Sequence, residues 1–276
     1  MELSDQQSWS FSAIPSLLPW FRQFAFILQL SGQGEDGLNH LHYLTPDSDF
    51  AHEARSAGQL YENQIARIWY AHDSQNAFCE VKQGKHEHEI LSMWYSMQPI
   101  YQRSMKHGGL PFHAGLVELD GKGILIAGHG DAGKSTTCRR FPAPWKALSD
   151  DETLVVLDKA GKYRAHPFPT WSEYLWKLSE RTWDVQYSVP LTAIFFIVQH
   201  ESDEVIPMSE MEAALMITRS ANQTCRKFLV KSDKKLQRQF KTEIFNNACE
   251  IAKKIPAYGL RISLHGNFWE KIEEVI

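Results

Sequence analysis

A glycine-rich stretch near the middle of the chain combines residue types that could hold a phosphate chain. It consists of Gly128, His129, Gly130, Asp131, Ala132, Gly133, Lys134 and Ser135, and it fits the pattern G-x-x-x-x-G-K-[ST] in full. Glycines allow the backbone to curl, so that successive N–H groups point at phosphate oxygens. Lys134 would reach the β- and γ-phosphates, and the Ser135 hydroxyl would bind Mg²⁺. These residues predict a site for ATP with Mg²⁺.

The residues on either side of this loop fit the same chemistry. The apolar run Ile124–Ala127 predicts a strand directly before it, and a helix is predicted from Gly133 to Arg140. The helix start adds partial positive charge, and Thr136 lies in its first turn near the phosphates. A glycine-rich turn with a chance lysine is the alternative. Asp131 either adds negative charge beside the phosphates or points outward and caps the helix.

Acidic residues after the loop are candidates for holding the metal or accepting a proton. Asp158 ends the apolar run Thr153–Leu157, but turn residues follow it, so it equally fits the corner of a hairpin. Asp150 and Asp151 form an adjacent pair shortly after the loop helix. A solvated loop or a helix cap is the alternative for this pair. Two adjacent carboxylates repel, so a bound cation would help to keep both ionised.

The spacing of His113, the loop and the Asp pair resembles the HPr kinase/phosphorylase family. The residues that carry the resemblance are Phe112-His113-Ala114-Gly115, then Lys134-Ser135, then Ala147-Leu148-Ser149-Asp150-Asp151. The resemblance is good over about residues 110–160 and holds only in outline elsewhere. It looks closest to the shorter HPr-kinase-like proteins encoded beside peptide-modification genes. These include lasso-peptide serine kinases and the HPr-kinase-like member of the SynChlorMet cassette.

The resemblance implies a role for each matching residue. Asp151 would be the general base that takes the proton from an acceptor hydroxyl. Asp150 would hold Mg²⁺ with Ser135, and His113 would orient the acid. A satisfied strand histidine is the alternative for His113. The downstream glutamate signature and the arginine-rich end of the bifunctional enzyme are not found, although Glu173 lies at about the separation of the missing glutamate.

The function implied by the resemblance is a kinase that transfers the γ-phosphate to a hydroxyl. The expected acceptor is a serine on a ribosomally made precursor peptide or protein, and other modification enzymes of the same cluster are expected partners. Two alternatives stay open: an ATP-binding module that escorts a peptide without phosphotransfer, and a small-molecule kinase. Oligomeric relatives make a homo-oligomer an expectation as well.

Composition narrows the class of protein. The 276 residues carry a net charge of −4, with a pI near 6.3, which is unlike a general nucleic-acid binder. We find no apolar run near the ~18 residues that a membrane span needs, and the first residues are acidic and polar. The four cysteines are scattered, which favours reduced thiols in a cytoplasmic protein.

The chain divides into two regions with different sequence patterns, and their folds must position these residues. Residues 1–107 are predicted to form a small α+β domain with a linking helix, and residues 108–276 an α/β nucleotide-binding domain. The resemblance makes the second an HPr kinase/PEP carboxykinase-like P-loop domain. Strands are predicted at Phe24–Leu30, Leu38–Leu44, Gln64–Tyr70 and Ala77–Val81. Apolar residues from Ile90 to Tyr101 recur at helical spacing, and a longer helix is predicted over Asp233–Ile255.

Overall fold

The computed structural model has a mixed α/β fold with two sheets. It describes residues 1–30, 37–48, 59–62, 65–70, 74–130, 132–177, 180–226 and 234–276. Within these ranges no helix has the length and apolar character that a bilayer crossing requires.

The smaller sheet has five strands in the order β1-β2-β5-β4-β3. They are β1 (Trp9–Ala13), β2 (Asn39–Leu44), β3 (Gln59–Glu62), β4 (Ala66–Tyr70) and β5 (Asn76–Val81). The first three strands in this order run parallel, and β4 pairs antiparallel with both β5 and β3. The strand predicted at Leu38–Leu44 is confirmed as β2, and the strands predicted at Gln64–Tyr70 and Ala77–Val81 are confirmed as β4 and β5, with Gln64 outside the described residues.

The strand predicted at Phe24–Leu30 is wrong, because its first four residues form the end of helix α1 (Leu18–Ile27) and the rest are the turn that follows. The helix buries Trp20, Phe24 and Ile27, which stand at helical spacing and place three large apolar groups on one face. The Phe24 ring stacks on Trp20 with centroids 5.5 Å apart. A short apolar run fits the period of a strand as well as that of a helix. Here the segment is helical because the helix packs this apolar face into the core.

The larger sheet has eight strands, of which seven follow the order β10-β9-β6-β7-β11-β13-β12 while β8 pairs with β6. They are β6 (Leu110–Leu119), β7 (Lys122–Ala127), β8 (Lys146–Ser149), β9 (Glu152–Leu157), β10 (Tyr163–Phe168), β11 (Val189–Gln199), β12 (Glu204–Pro207) and β13 (Ala257–Ile262). Strands β7, β11 and β13 are parallel, so their carboxyl ends meet at one edge. The loop that begins at Gly128 leaves the sheet at this edge.

Helices pack on both faces of the larger sheet. The described helices after α1 are α2 (His86–Tyr95), α3 (Gln98–Lys106), α4 (Lys134–Arg140), α5 (Trp171–Leu175), α6 (Glu210–Cys225), α7 (Lys234–Lys254) and α8 (Phe268–Glu273). Successive residues of β7 show the two faces. Leu125 belongs to the cluster that contains Ile217 of α6, whereas Ile126 packs with Cys138 of α4. The predicted long helix is confirmed as α7.

The helical pattern from Ile90 to Tyr101 is divided between α2 and α3, with Pro99 in the first turn of α3. Both helices contribute to one buried cluster that also contains residues of the two sheets, such as Tyr43 and Phe112. The Asn247 side chain of α7 donates hydrogen bonds to the Met105 and Gly109 carbonyls, at 2.7 and 3.0 Å. The end of the linking segment is therefore held against α7. The division into domains at residues 107 and 108 stays a prediction.

A buried histidine ties the first residues of the chain to the larger sheet. His166 in β10 is fully buried, and its Nε2 accepts a hydrogen bond from the Ser4 backbone N–H at 3.2 Å. The other ring nitrogen, Nδ1, therefore carries the proton and donates to the Val185 carbonyl at 2.9 Å. Burial lowers the pKa of His166 from 6.5 to about 4, so the ring is neutral in the folded protein.

Stability is expected to fall on acidification through this residue. The unfolded chain takes up a proton near pH 6.5 that the folded protein accepts only near pH 4, so stability is full above that window and is lost as the pH falls through it. We expect a loss of about 2 kcal/mol between pH 7 and pH 5, measured by denaturant unfolding. The variant His166→Gln should show a flatter pH dependence, whereas the exposed His265→Gln should behave like the wild type. Equal slopes in all three proteins would contradict the assignment.

Candidate functional site

The glycine-rich loop connects the end of β7 to the start of α4. Gly133 adopts a left-handed backbone conformation with φ of 91°, which favours glycine, and Lys134 begins the helix. The Ala132 N–H bonds to the His129 carbonyl at 3.2 Å, which closes a turn within the loop. Asp131 lies outside the described residues, so its two alternatives stay open. The predicted strand, loop and helix are all present in this order.

The residues of the loop differ in their exposure to solvent. Gly128, Ala132 and Ser135 are half-buried, whereas His129, Gly130 and Thr136 are exposed. Lys134 is buried, and its Nζ donates to the carbonyls of Gly128 at 3.3 Å and His129 at 3.0 Å. A buried ammonium group needs such partners, because desolvation of a charge is costly. Through these two hydrogen bonds Lys134, at the start of α4, holds the first residues of the loop close to the helix.

Gly115 brings the loop helix and the Asp pair together. It lies in β6, and a Cβ atom at this position would lie 2.4 Å from the Cys138 Sγ and 3.2 Å from the Asp150 Cα. Helix α4 and the residues after β8 thus meet over a strand position that only glycine fits. Burial raises the pKa of the Cys138 thiol to about 12, so this group is neutral packing.

Replacing Gly115 with alanine is expected to separate these two elements. The added methyl group overlaps the Cys138 sulfur and crowds two backbone atoms at 3.1 and 3.2 Å, and we expect unfolding to need about 1–3 kcal/mol less free energy. Gly130→Ala is the matched control, because its Cβ would meet no heavy atom within 4 Å. Denaturant unfolding of both variants checks this. Equal stability of Gly115→Ala and the wild type would show that α4 can shift freely away from the Asp pair.

His113 and Asp151 form one pair of this site. His113 Nδ1 lies 3.0 Å from Asp151 Oδ1, and the two side chains are 25% and 20% exposed. Both groups therefore stay accessible to a substrate while they fix each other's orientation. The sequence pattern that linked this histidine of β6 to the Asp pair corresponds to a direct contact.

Asp150 is buried and lies in a second set of contacts. One of its oxygens accepts a hydrogen bond from the Thr170 hydroxyl. The other lies 3.9 Å from the guanidinium of Arg139, which also lies 3.5 Å from a Glu173 oxygen. The exposed Arg139 side chain thus stands between two carboxylates that are largely withdrawn from water.

Oxygen ligands for a hard cation are available here. The second Glu173 oxygen, Oε2, is buried without a hydrogen-bond partner. Across the described parts of the chain, no group of three or more histidine, cysteine, aspartate or glutamate side chains is arranged as a metal site. Magnesium bound with a nucleotide usually has one or two carboxylate ligands, and phosphate oxygens complete its shell. Asp150 and Glu173, which share their contact with Arg139, are carboxylates of the type that such a cation uses.

Asp158 serves the hairpin between β9 and β10. Its carboxylate accepts hydrogen bonds from the N–H groups of Ala160 at 2.8 Å and Lys162 at 2.9 Å. Its own N–H donates to the Lys162 carbonyl at 2.8 Å. These contacts match one of the two alternatives for Asp158, namely the corner of a hairpin.

Three contributors to this site were not predicted from the sequence, namely Arg139, Thr170 and Glu152. Thr170 lies in a stretch rich in proline and aromatic residues, and Arg139 lies in the loop helix. Neither belongs to a recognisable motif. Glu152 directly follows Asp150 and Asp151, and this run of three acidic residues is the local sequence signal that points to it.

A comparison with models of known protein families assigns the chain to one family. Its fold is mixed α/β, with the glycine-rich loop at the carboxyl edge of the larger sheet. The family model described as SynChlorMet cassette protein ScmC matches residues 77–276. This match covers more than half of the chain, which therefore belongs to that family. A search of curated proteins found no match.

Proposed function

We propose that the chain is an ATP-dependent kinase of the HPr-kinase-like type, acting on a hydroxyl of a precursor peptide or protein. The observation that carries the proposal is the convergence at Gly115. Cys138, from the helix that begins with Lys134, and the backbone of Asp150, the residue before Asp151, both lie against this strand position. Phosphoryl transfer needs this combination of phosphate ligands and a nearby carboxylate.

Binding of ATP would depend on the loop and on Lys134. The buried ammonium group now bonds to two loop carbonyls, and it would turn to the more negative phosphate oxygens when ATP binds. Ser135 and Asp150 would hold Mg²⁺, which would offset the negative charge of the phosphates. Glu173, with its unpartnered oxygen, is the candidate for a further ligand.

Transfer would depend on Asp151. Its carboxylate would accept the proton of the attacking serine hydroxyl as the new O–P bond forms and the bond to ADP breaks. The His113 contact at 3.0 Å would hold the carboxylate in the orientation needed to receive that proton. His113 would therefore act on the reaction by orienting Asp151.

The acceptor class is inferred from the family. Membership in the SynChlorMet cassette family supports a role in peptide modification, and a serine on a ribosomally made precursor peptide is the acceptor that we propose. The other modification enzymes of the same cluster are the proposed protein partners.

The test is to incubate the purified protein with Mg-ATP and the precursor peptide encoded beside its gene. Intact mass should show the gain of one phosphoryl group, and a peptide with its serines changed to alanine should show none. Tight ATP binding with no mass gain would overturn the kinase and favour the peptide-escort module. Phosphorylation of small hydroxyl compounds instead of the peptide would favour a small-molecule kinase.

A further inference from the structure

Glu152 is a buried carboxylate directly beside the Asp pair. Its side chain is withdrawn from water, with 3% of the residue exposed. One oxygen accepts a hydrogen bond from Trp94 Nε1 at 2.9 Å, and the other accepts one from the Tyr101 hydroxyl at 2.8 Å. Hydrogen bonds to a charged acceptor in a buried setting are stronger than those between neutral groups.

The position of Glu152 connects it to both members of the His113–Asp151 pair. It follows Asp151 in the chain and begins β9. In the antiparallel pairing of β6 with β9 its partner is His113. Facing residues of antiparallel strands project from the same side of the sheet. A shift of Glu152 would therefore move the backbone that carries Asp151 relative to the strand that carries His113.

The two donors come from the helices that link the sheets. Trp94 lies in α2, and Tyr101 lies in α3, where it is buried with its ring 5.5 Å from that of Phe168. The end of α2 is bonded to the smaller sheet, because the Tyr43 hydroxyl donates to Ser96 Oγ at 3.3 Å. The family match begins at residue 77 and includes both helices. The linking helices thus supply contacts to the site from outside the glycine-rich loop.

We propose that Glu152 is a positioning residue that fixes Asp151 against His113 through its bonds to Trp94 and Tyr101. The expected effect on kcat rests on the proposed function, whereas the expected effect on the His113–Asp151 contact does not. Removal of the carboxylate would take away the acceptor that the buried Tyr101 hydroxyl and the half-buried Trp94 Nε1 now use, which is costly, so the start of β9 would move to relieve it.

Two variants of Glu152 separate positioning from charge. In Glu152→Gln the amide oxygen can accept from Trp94 while the amide group donates to the Tyr101 oxygen, so the contacts persist without the charge. In Glu152→Leu both contacts are lost. We expect Glu152→Leu to lower kcat by roughly tenfold to a hundredfold, with the Kd for ATP unchanged. Glu152→Gln should keep kcat within a few fold of the wild type.

A second measurement does not require kinase activity. In the nucleotide-free protein, NMR of ¹⁵N-labelled histidine should report the His113 Nδ1 contact with Asp151. We expect this signal to persist in Glu152→Gln and to change in Glu152→Leu. If Glu152→Leu does not fold, Trp94→Phe and Tyr101→Phe each remove one donor and should change the same signal.

The outcomes are distinguishable. An unchanged His113 signal and an unchanged kcat in folded Glu152→Leu would overturn the inference while leaving the kinase intact. A loss of kcat in Glu152→Gln equal to that in Glu152→Leu would assign the effect to charge and would also overturn positioning. Absence of phosphotransfer in the wild type would reject the proposed function, and the NMR comparison would still decide the role of Glu152.

Discussion

Replacing Lys134 with alanine is expected to weaken Mg-ATP binding about a hundredfold, because charge-assisted hydrogen bonds to the phosphates are lost. The Lys134 ammonium group is buried at the centre of the loop, where it bonds to the Gly128 and His129 carbonyls. Calorimetric titration of Mg-ATP and Mg-ADP into the wild type and the variant measures the effect.

Two further variants make this result specific. Lys162→Ala removes an exposed lysine from the hairpin that follows β9 and should bind ATP as the wild type does. Lys134→Met keeps most of the buried stem and removes the charge, so it should lose affinity as Lys134→Ala does. Wild-type affinity in a folded Lys134→Met variant would show that this charge does not bind phosphate. No ATP binding by the wild type would remove the main support for the kinase.

Replacing Asp151 with asparagine is expected to lower phosphotransfer by roughly 10²–10⁴ while ATP affinity is retained. Asparagine has nearly the same shape, so packing beside His113 is kept, but its amide cannot take the proton of the acceptor hydroxyl. Single-turnover transfer to the precursor peptide, followed by intact mass, measures the rate apart from binding.

The matched control is Asp158→Asn, which removes a carboxylate from the hairpin corner. Asparagine retains an oxygen that can accept from the turn N–H groups, so this variant should transfer phosphate at the wild-type rate. A normal rate for Asp151→Asn would reject Asp151 as the base. A loss confined to Asp158→Asn would return the role to the acid at the end of β9.

Local sequence patterns predicted the parts of the candidate site that are formed by neighbouring residues. The strand before the loop, the glycines, Lys134 and the helix after it all lie in one continuous segment, residues 122–140, and their predicted order is present in the fold. The pairing of His113 with the Asp pair followed from the resemblance to a family. The short run at Phe24–Leu30 was misassigned, because a few apolar residues do not distinguish the period of a strand from that of a helix.

Only the tertiary structure decided which distant residues complete the site. Thr170 bonds to Asp150 across 20 positions of sequence, and Trp94 bonds to Glu152 across 58. Such pairs have no fixed spacing, because they arise where a helix or loop happens to cross the strand end. The requirement for glycine at position 115 likewise follows from the closeness of Cys138 and Asp150. The sequence by itself determined the order of strand, glycine-rich loop and helix. Three-dimensional packing decided which side chains contact the acids beside the loop, since burial requires each polar group to find a partner wherever the fold supplies one.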